Sequence, residues 1–291
     1  MYHFVVNAKS GRGRGNKVLK KLCDYCYRKG IPFSAHITGA CGHAIKLTQK
    51  LCESGAKTII AVGGDGTFSE VLSGITCLEQ TALGFIPAGR GNDYAKSAGL
   101  SLDPIKAFLD IINGGIVRVD YIEIDGRRCL NVAGTGLDVD VLKRVYGKTG
   151  KLSYLTSLVH CLKHFKPYKL KITTDGKTRE EDCFVVAICN GQAYGGGIYI
   201  SPRSKIDDGR MDVVVLTQPK DNKLMRALFK VKRKKHLEQE YTTVFSCDEI
   251  TVEAADQTKN YPIQIDGEIF EDKILSCKVV KGGLRTFFGN S

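Results

Sequence analysis

A chain of 291 residues with 43% hydrophobic and 25% charged side chains has the balance of a folded globular protein with room for two domains, which excludes disordered and fibrous classes. Its net charge of +12 points to an anionic partner: nucleic acid, a phosphate-rich ligand or an acidic membrane surface. The longest wholly apolar run, Phe184 to Cys189, falls far short of the roughly 18 residues that cross a bilayer, so no transmembrane helix is expected.

The first apolar run, Phe4 to Val6, meets Lys9, Arg12 and Arg14 with none of the long apolar stretch of a signal peptide, and cytoplasmic residence is the expectation. Eleven cysteines, an odd number without framework spacing, agree with reduced thiols. Cys23 and Cys26 have C-x-x-C spacing but no partner pair, and read as ordinary helix thiols.

β-prone runs at Tyr2–Val6, Phe33–Ile37, Thr58–Val62 and Leu83–Pro87 alternate with helical patterns at Lys17–Lys29, His43–Glu53 and Thr67–Ile75. Such a βαβαβ rhythm predicts a parallel sheet with helices on both faces and a ligand site at the carboxyl ends of its strands. There the chain places Asn7 to Gly11, Thr38 and Gly39, Gly63 to Thr67, and Ala88 to Asp93.

The third of these loops, G-G-D-G-T, is the most informative. Its glycines let backbone N–H groups approach an anion, and the helix that follows aims its positive end at the same place. Asp65 repels phosphate by charge, so its presence argues for a magnesium ion between it and a nucleotide. The alternative is a turn that uses Asp-Gly for geometry alone. Gly147, Lys148 and Thr149 suggest a P-loop, but Leu142 stands where its first glycine is needed. The Gly11, Gly13, Gly15 series lacks dinucleotide-fingerprint spacing.

After Gly115 the chain turns β-rich, with runs at Val117–Ile124, Leu170–Thr174, Phe184–Cys189, Met211–Leu216 and Tyr261–Ile265, interrupted by helical stretches at Lys151–Phe165 and Asp221–Glu238. In the first stretch His160 and His164 share a face, with Cys161 where a zinc-protease glutamate belongs. In the second, Lys223, Arg226, Lys230, Lys232, Arg233, Lys234 and Lys235 supply seven positive charges, and no acid intervenes between Lys223 and Lys235. Leu224, Ala227, Leu228 and Val231 form an apolar stripe beside them, the pattern of a membrane-surface helix or of a merely solvated one.

Taken in order, Asn7 to Gly11, Gly63 to Thr67 with Glu70, Pro87 to Asp93, Asn190 and Gly191 with Gly195 to Gly197, Asp208 and Gly209, and Asp266 to Glu268 resemble the diacylglycerol kinase catalytic-domain family, which includes bacterial lipid kinases and sphingosine and ceramide kinases. The resemblance implies an α/β fold: an N-terminal parallel-sheet nucleotide-binding domain, a C-terminal β-sandwich-like domain, and an active site in the cleft between them. It puts the first domain at residues 1–118, with 279–291 returning to it, and a lipid-substrate domain at 119–278.

By the same resemblance ATP lies over Asn7, Ala8, Lys9, Ser10, Gly11, Thr38, Gly63, Gly64, Asp65, Gly66, Thr67, Glu70, Gly89, Arg90, Gly91 and Asn92. The chain departs from the family twice, with Ala8 for proline and Arg90 for threonine. Arg90 loses a hydroxyl and gains a guanidinium able to pair with phosphate. The implied reaction is γ-phosphoryl transfer from ATP to a lipid hydroxyl, diacylglycerol first among acceptors, with Mg2+. A carboxylate, Asp266 or Glu268, receives the alcohol proton. Lys205, Asp208 and Arg210 match a structural magnesium position of the family.

Peripheral association with an anionic membrane is the expected setting; no nucleic-acid partner is expected, and a homodimer stays open. The rivals are an NAD kinase-like enzyme, which shares the G-G-D-G-T loop, a basic nucleic-acid binder, and a catalytically silent lipid-binding relative.

Overall fold

The fold was analysed in a computed structural model, which describes residues 1–145, 151–218, 224–256, 258 and 260–288. Gly147, Lys148, Thr149 and Lys223 lie outside the described residues. All eleven cysteines are free thiols.

The first domain alternates β1 (Tyr2–Val6), α1 (Ser10–Lys29), β2 (Phe33–Ile37), α2 (His43–Glu53), β3 (Thr58–Gly63), α3 (Asp65–Gly74), β4 (Ala82–Pro87), α4 (Asp93–Ser97) and α5 (Pro104–Asn113). The strands pair in parallel in the order β2-β1-β3-β4. The central strands β3 and β4 are short apolar runs because both their faces are covered, whereas β2, at the sheet edge, carries Ser34 and His36 and is only partly buried. Phe4, Val6, Ile60 and Val62 face Leu22 of α1 and Phe108 of α5, while Val5, Ile59 and Ala61 face Leu51, Phe68 and Leu72 of α2 and α3. Helix α5 starts with a side-chain cap, Asp103 accepting the N–H of Ile105 and Lys106 at 3.0 and 2.9 Å, with Pro104 in its first turn.

The second half contains β5 (Ile116–Ile124), β6 (Arg127–Cys129), β7 (Val132–Gly136), α6 (Leu137–Val145), α7 (Lys151–His164), β8 (Tyr168–Thr174), β9 (Lys177–Cys189), β10 (Met211–Thr217), α8 (Leu224–Lys232), β11 (Thr242–Cys247), β12 (Glu249–Ala254), β13 (Tyr261–Ile265), β14 (Glu268–Asp272) and β15 (Ile274–Phe287). The long strand β9 changes partners along its length: Lys177–Cys183 pairs with β8, and Val185–Cys189 with β7 and β10. It thereby joins two antiparallel layers, β14-β13-β7-β9-β10-β11 and β9-β8-β12-β15-β5-β6. Ile122, Ile172, Val186, Ile188, Val213, Ile250, Ile263 and Leu275 fill the space between them. Three tight hairpins turn on Asp125-Gly126, Asp175-Gly176 and Asp266-Gly267, each with positive φ at both residues.

Strand β15 connects the two halves. Its first part pairs with β12 and β5, and after an irregularity between Val280 and Leu284 its end meets β4 in parallel at Thr286↔Leu83. The Asp120 carboxylate fixes that joint, accepting N–H groups from Gly209 at 2.6 Å and Gly282 at 2.7 Å. Asn190 closes it from the other side, its Nδ2 donating to the carbonyls of Asp120 and Leu130 at 3.0 and 2.9 Å.

The helix expected over Asp221–Glu238 ends earlier, at Lys232, because Lys234 takes a left-handed φ of 59° and the N–H groups of Lys234 and Lys235 turn back to Val231 and Lys230. No helix among the described residues is long and apolar enough to cross a membrane.

Candidate active site

The four loops at the carboxyl ends of the parallel strands come together, and backbone contact is what joins them. Gly11, Arg12 and Gly13 run through three successive positive φ values, 58°, 61° and 87°, before α1 proper begins. A β-carbon on Gly11 would stand 2.3 Å from the Ala88 carbonyl oxygen, so the first loop lies directly on the fourth. The third and fourth touch as well, since a β-carbon on Gly89 would stand 2.4 Å from Gly64 Cα. Asn92 clasps its own loop, Oδ1 accepting the Gly89 N–H at 3.0 Å and Nδ2 donating to the Gly89 carbonyl at 3.3 Å. Asn7 ties the first loop to α3, donating to Thr67 Oγ1 at 3.3 Å while Oδ1 accepts the Lys9 N–H at 3.2 Å.

These loops border a cleft of about 510 Å³ lined by Asn7, Lys9, Ser10, Thr38, Gly64, Gly66, Thr67 and Glu70 of the first domain and Glu268 of the second. The N-terminus of α3 opens on it, so backbone N–H groups and the helix dipole favour an anion there, with Lys9 as the lining cation. Ala8, Gly11, Gly63, Gly89, Arg90, Gly91 and Asn92 are not lining residues; apart from Arg90, which is exposed, they form the framework behind the wall.

Asp65 stands beside this wall. Its Oδ1 accepts the Tyr94 N–H at 3.2 Å. A β-carbon on Gly91 would stand 3.1 Å from Asp65 Oδ2 and 3.3 Å from Asp93 Oδ2, so the two carboxylates flank one glycine. Burial, and next the repulsion of Asp93, push the Asp65 carboxyl above its ordinary value. Asp93 is itself held by the Gly196 N–H at 2.6 Å and by Lys96 Nζ at 3.4 Å. Two adjacent carboxylates beside an anion-binding loop fit a hard dication that takes its remaining oxygens from phosphate and water. Among the described residues no cluster of three or more acidic, histidine or cysteine side chains forms a closed protein cage for a metal.

The two carboxylates of the β13–β14 hairpin do different work. Asp266 makes the left-handed turn itself, with φ 48°, and its side chain is fully engaged: Oδ2 accepts the Leu130 N–H at 2.7 Å, and Oδ1 accepts those of Asn131 and Val132 at 2.9 and 3.2 Å and the Cys129 thiol at 3.3 Å. Burial raises its pKa, and those donors pull it back. Glu268, the first residue of β14, is exposed and lines the cleft. Partial burial raises its carboxyl, followed by the charges of Glu70 and Asp266, while Arg127 opposes them. Asp266 occupies the hairpin turn, and of the two acids Glu268 is the one that lines the cleft.

Lys205, Asp208 and Arg210 lie apart from the cleft lining, beside the Asp120 joint. Asp208 is exposed, its Oδ1 accepts the Arg210 N–H at 3.1 Å, and the Arg210 guanidinium donates to the Ser246 carbonyl at 2.8 Å. One free carboxylate oxygen with main-chain carbonyls suits a water-rich magnesium at most. Asp93 is the acidic partner absent from the candidate set drawn from sequence, although its place at the end of the fourth loop marks it. Gly39, placed at the strand end by the sequence pattern, lines the cleft, and Ala40, Cys41 and Ala44, which close it at the start of α2, carry no sequence signal.

This geometry can be set beside known proteins. The model of the diacylglycerol kinase catalytic domain matches residues 1–124, and that of the YegS C-terminal NAD kinase beta sandwich-like domain matches residues 131–288. The chain belongs to the diacylglycerol kinase catalytic-domain family. It is 26% identical over 270 residues to a diacylglycerol kinase of Bacillus subtilis, covering 91% of this chain and 88% of that one. A protein of Enterobacter sp. named "probable lipid kinase YegS-like" is 28% identical over 228 residues, 76% of this chain and 75% of that one. A crystal structure of a diacylglycerol kinase from Bacillus anthracis superposes with a TM-score of 0.79 at 23% identity, covering 99% of this chain and 97% of that one, and so shares the fold. The chain is a two-domain lipid kinase that uses ATP.

Proposed function

We propose that this lipid kinase transfers the γ-phosphoryl group of ATP to the hydroxyl of diacylglycerol, giving phosphatidic acid, with Glu268 as the general base. The observation that carries the reading is that Glu268, contributed by the second domain, lines the same cleft as the glycine loop of the first. Phosphoryl transfer asks chiefly for alignment and charge neutralisation. Backbone N–H groups of Gly64, Gly66 and Thr67, with Ser10 and Lys9, hold the phosphates. Glu268 takes the alcohol proton, and its raised pKa brings it closer to neutrality, where a carboxylate is a better base. Asp266 shapes the hairpin that presents Glu268, its carboxylate held by the N–H groups of residues 130–132 and the Cys129 thiol.

Asp65 and Asp93 are the pair that would hold magnesium, which supplies neutralising charge to the phosphoryl oxygens. Lys205, Asp208 and Arg210 are proposed as a separate structural magnesium position outside the reaction. The protein would act at a membrane surface, where its acceptor resides.

The test is label transfer from ATP in mixed micelles of diacylglycerol, monoacylglycerol, sphingosine, ceramide or undecaprenol, with NAD as a soluble control. Label on diacylglycerol is expected. Label on a different lipid would replace the acceptor, and label on NAD alone would overturn the proposal.

A further inference from the structure

Helix α8 and the turn after it carry charge that the rest of the described protein leaves unbalanced. Several surface cations elsewhere pair with acids, Arg118 with Glu79, Lys143 with Glu271, Lys169 with Glu180, Lys278 with Glu249 and Lys281 with Asp248, while others, such as Lys17, Lys20 and Lys21 of α1, are exposed with no ion pair among the described residues. Lys230, Lys232, Arg233, Lys234 and Lys235 are all exposed, and among the described residues none has an ion-pair partner. Lys230 donates only to the neutral side chain of Gln239. In the midst of these cations Phe229 is 58% exposed, with the Arg233 guanidinium 5.1 Å above its ring.

The segment is held in a fixed relation to the cleft. Its helix closes on the left-handed Lys234, whose Nζ sits 3.6 Å over the Tyr199 ring. His236, buried, bonds through Nε2 to the Ile200 carbonyl at 2.7 Å. Tyr199 and Ile200 end a loop that begins at Tyr194, and Gly196 in that loop donates to Asp93, the neighbour of Asp65. The basic turn is therefore one loop away from the carboxylate pair of the cleft.

We propose that Phe229 to Lys235 is the element by which this kinase docks on an anionic bilayer, and that the 194–200 loop ties the docking plane to the cleft. An exposed ring flanked by cations matches the layered chemistry of a bilayer surface, apolar beneath and anionic above. Nucleic acid suits it less well, because one face of the Phe229 ring, the surface on which a base would stack, already carries Arg233. The proposal deepens the lipid-kinase reading and rests on it for its purpose, but its test uses neither ATP nor acceptor.

Flotation of the full-length protein with phosphatidylcholine vesicles, with and without phosphatidylglycerol, measures docking. The parent is expected to bind the anionic vesicles and to be released by salt. The triple variant Lys232→Gln, Arg233→Gln, Lys235→Gln should lose on the order of 100-fold in vesicle affinity, from ~1 kcal/mol per cation near the surface. Phe229→Ala should lose about tenfold, the equivalent of withdrawing one buried aromatic side chain. Both variants should phosphorylate a water-soluble short-chain acceptor at the parental rate, and the triple replacement by Lys or Arg of the opposite kind should restore docking. Unchanged vesicle binding in the triple variant overturns the proposal. So does parental protein that ignores anionic vesicles yet binds single-stranded RNA through the same cations. If no acceptor is phosphorylated while vesicle docking behaves as stated, the kinase reading fails and the docking surface stands.

Discussion

Replacing Asp266 by Asn tests whether that acid is a structural clip or the base of the reaction. The carboxylate accepts three backbone N–H groups and one thiol. An amide keeps a single oxygen, so if Oδ1 retains Asn131 and Val132, the new NH2 group faces the Leu130 N–H, donor against donor. A hydrogen bond to a charged group contributes about 1.5 to 3 kcal/mol, and the remaining bonds lose their charge assistance. A total near 3 kcal/mol is therefore expected, which lowers the melting temperature by about 6 to 12 °C. Circular dichroism melts measure the first effect. Initial rates with saturating ATP measure the second, a fall in kcat through the displaced hairpin, with ATP affinity retained because the glycine loop is untouched. A variant that melts with the parent and is inactive would refute the clip and return the base to Asp266.

Glu268→Gln, on an exposed hairpin position, should leave the melting temperature unchanged and cut turnover by roughly 100-fold or more, the usual contribution of a general base. Because the Glu268 carboxyl is raised and must be ionised to act, the parental rate should fall with acid at a pH above the ordinary glutamate range, and Glu70→Gln, which removes a repelling charge, should move that limb to lower pH; an unmoved limb would put the titration elsewhere. Asp65→Asn should lose roughly 2.7 to 4 kcal/mol of transition-state stabilisation, read as kcat/KM at saturating magnesium, and near-parental turnover would end its assigned role. Asp103→Ala removes the α5 cap far from the cleft, and should cost about 1 kcal/mol in denaturant unfolding with no change in activity.

What could be read along the chain was what is local. The central strands β3 and β4 are apolar runs because helices cover both their faces, and β1 and β2 fall where their β-prone patterns put them. The glycine loop was legible because its geometry depends on residue type over five consecutive positions. Strand β9 was legible only in its apolar half: Phe184–Cys189 sits between two layers, while Lys177–Asp182 is charged, pairs at the rim and has no apolar signature. Helix α6 escaped notice because Asp138 and Asp140 alternate with apolar residues like a strand, and α5 was missed despite its Asp-Pro start.

The tertiary structure alone decided where Asp266 and Glu268 stand relative to the cleft. Two residues apart, they look equivalent in sequence, but a left-handed turn sends one carboxylate into the backbone of residues 130–132 and leaves the other at the cleft. The same holds for Asp65 and Asp93, which belong to separate loops until the touching glycines Gly64 and Gly89 bring those loops together. Sequence determines which chemistry is available and where each strand ends, because both depend on neighbouring residues. Which acid meets which ligand depends on contacts between segments far apart in the chain, and those exist only once the sheet and the sandwich have packed.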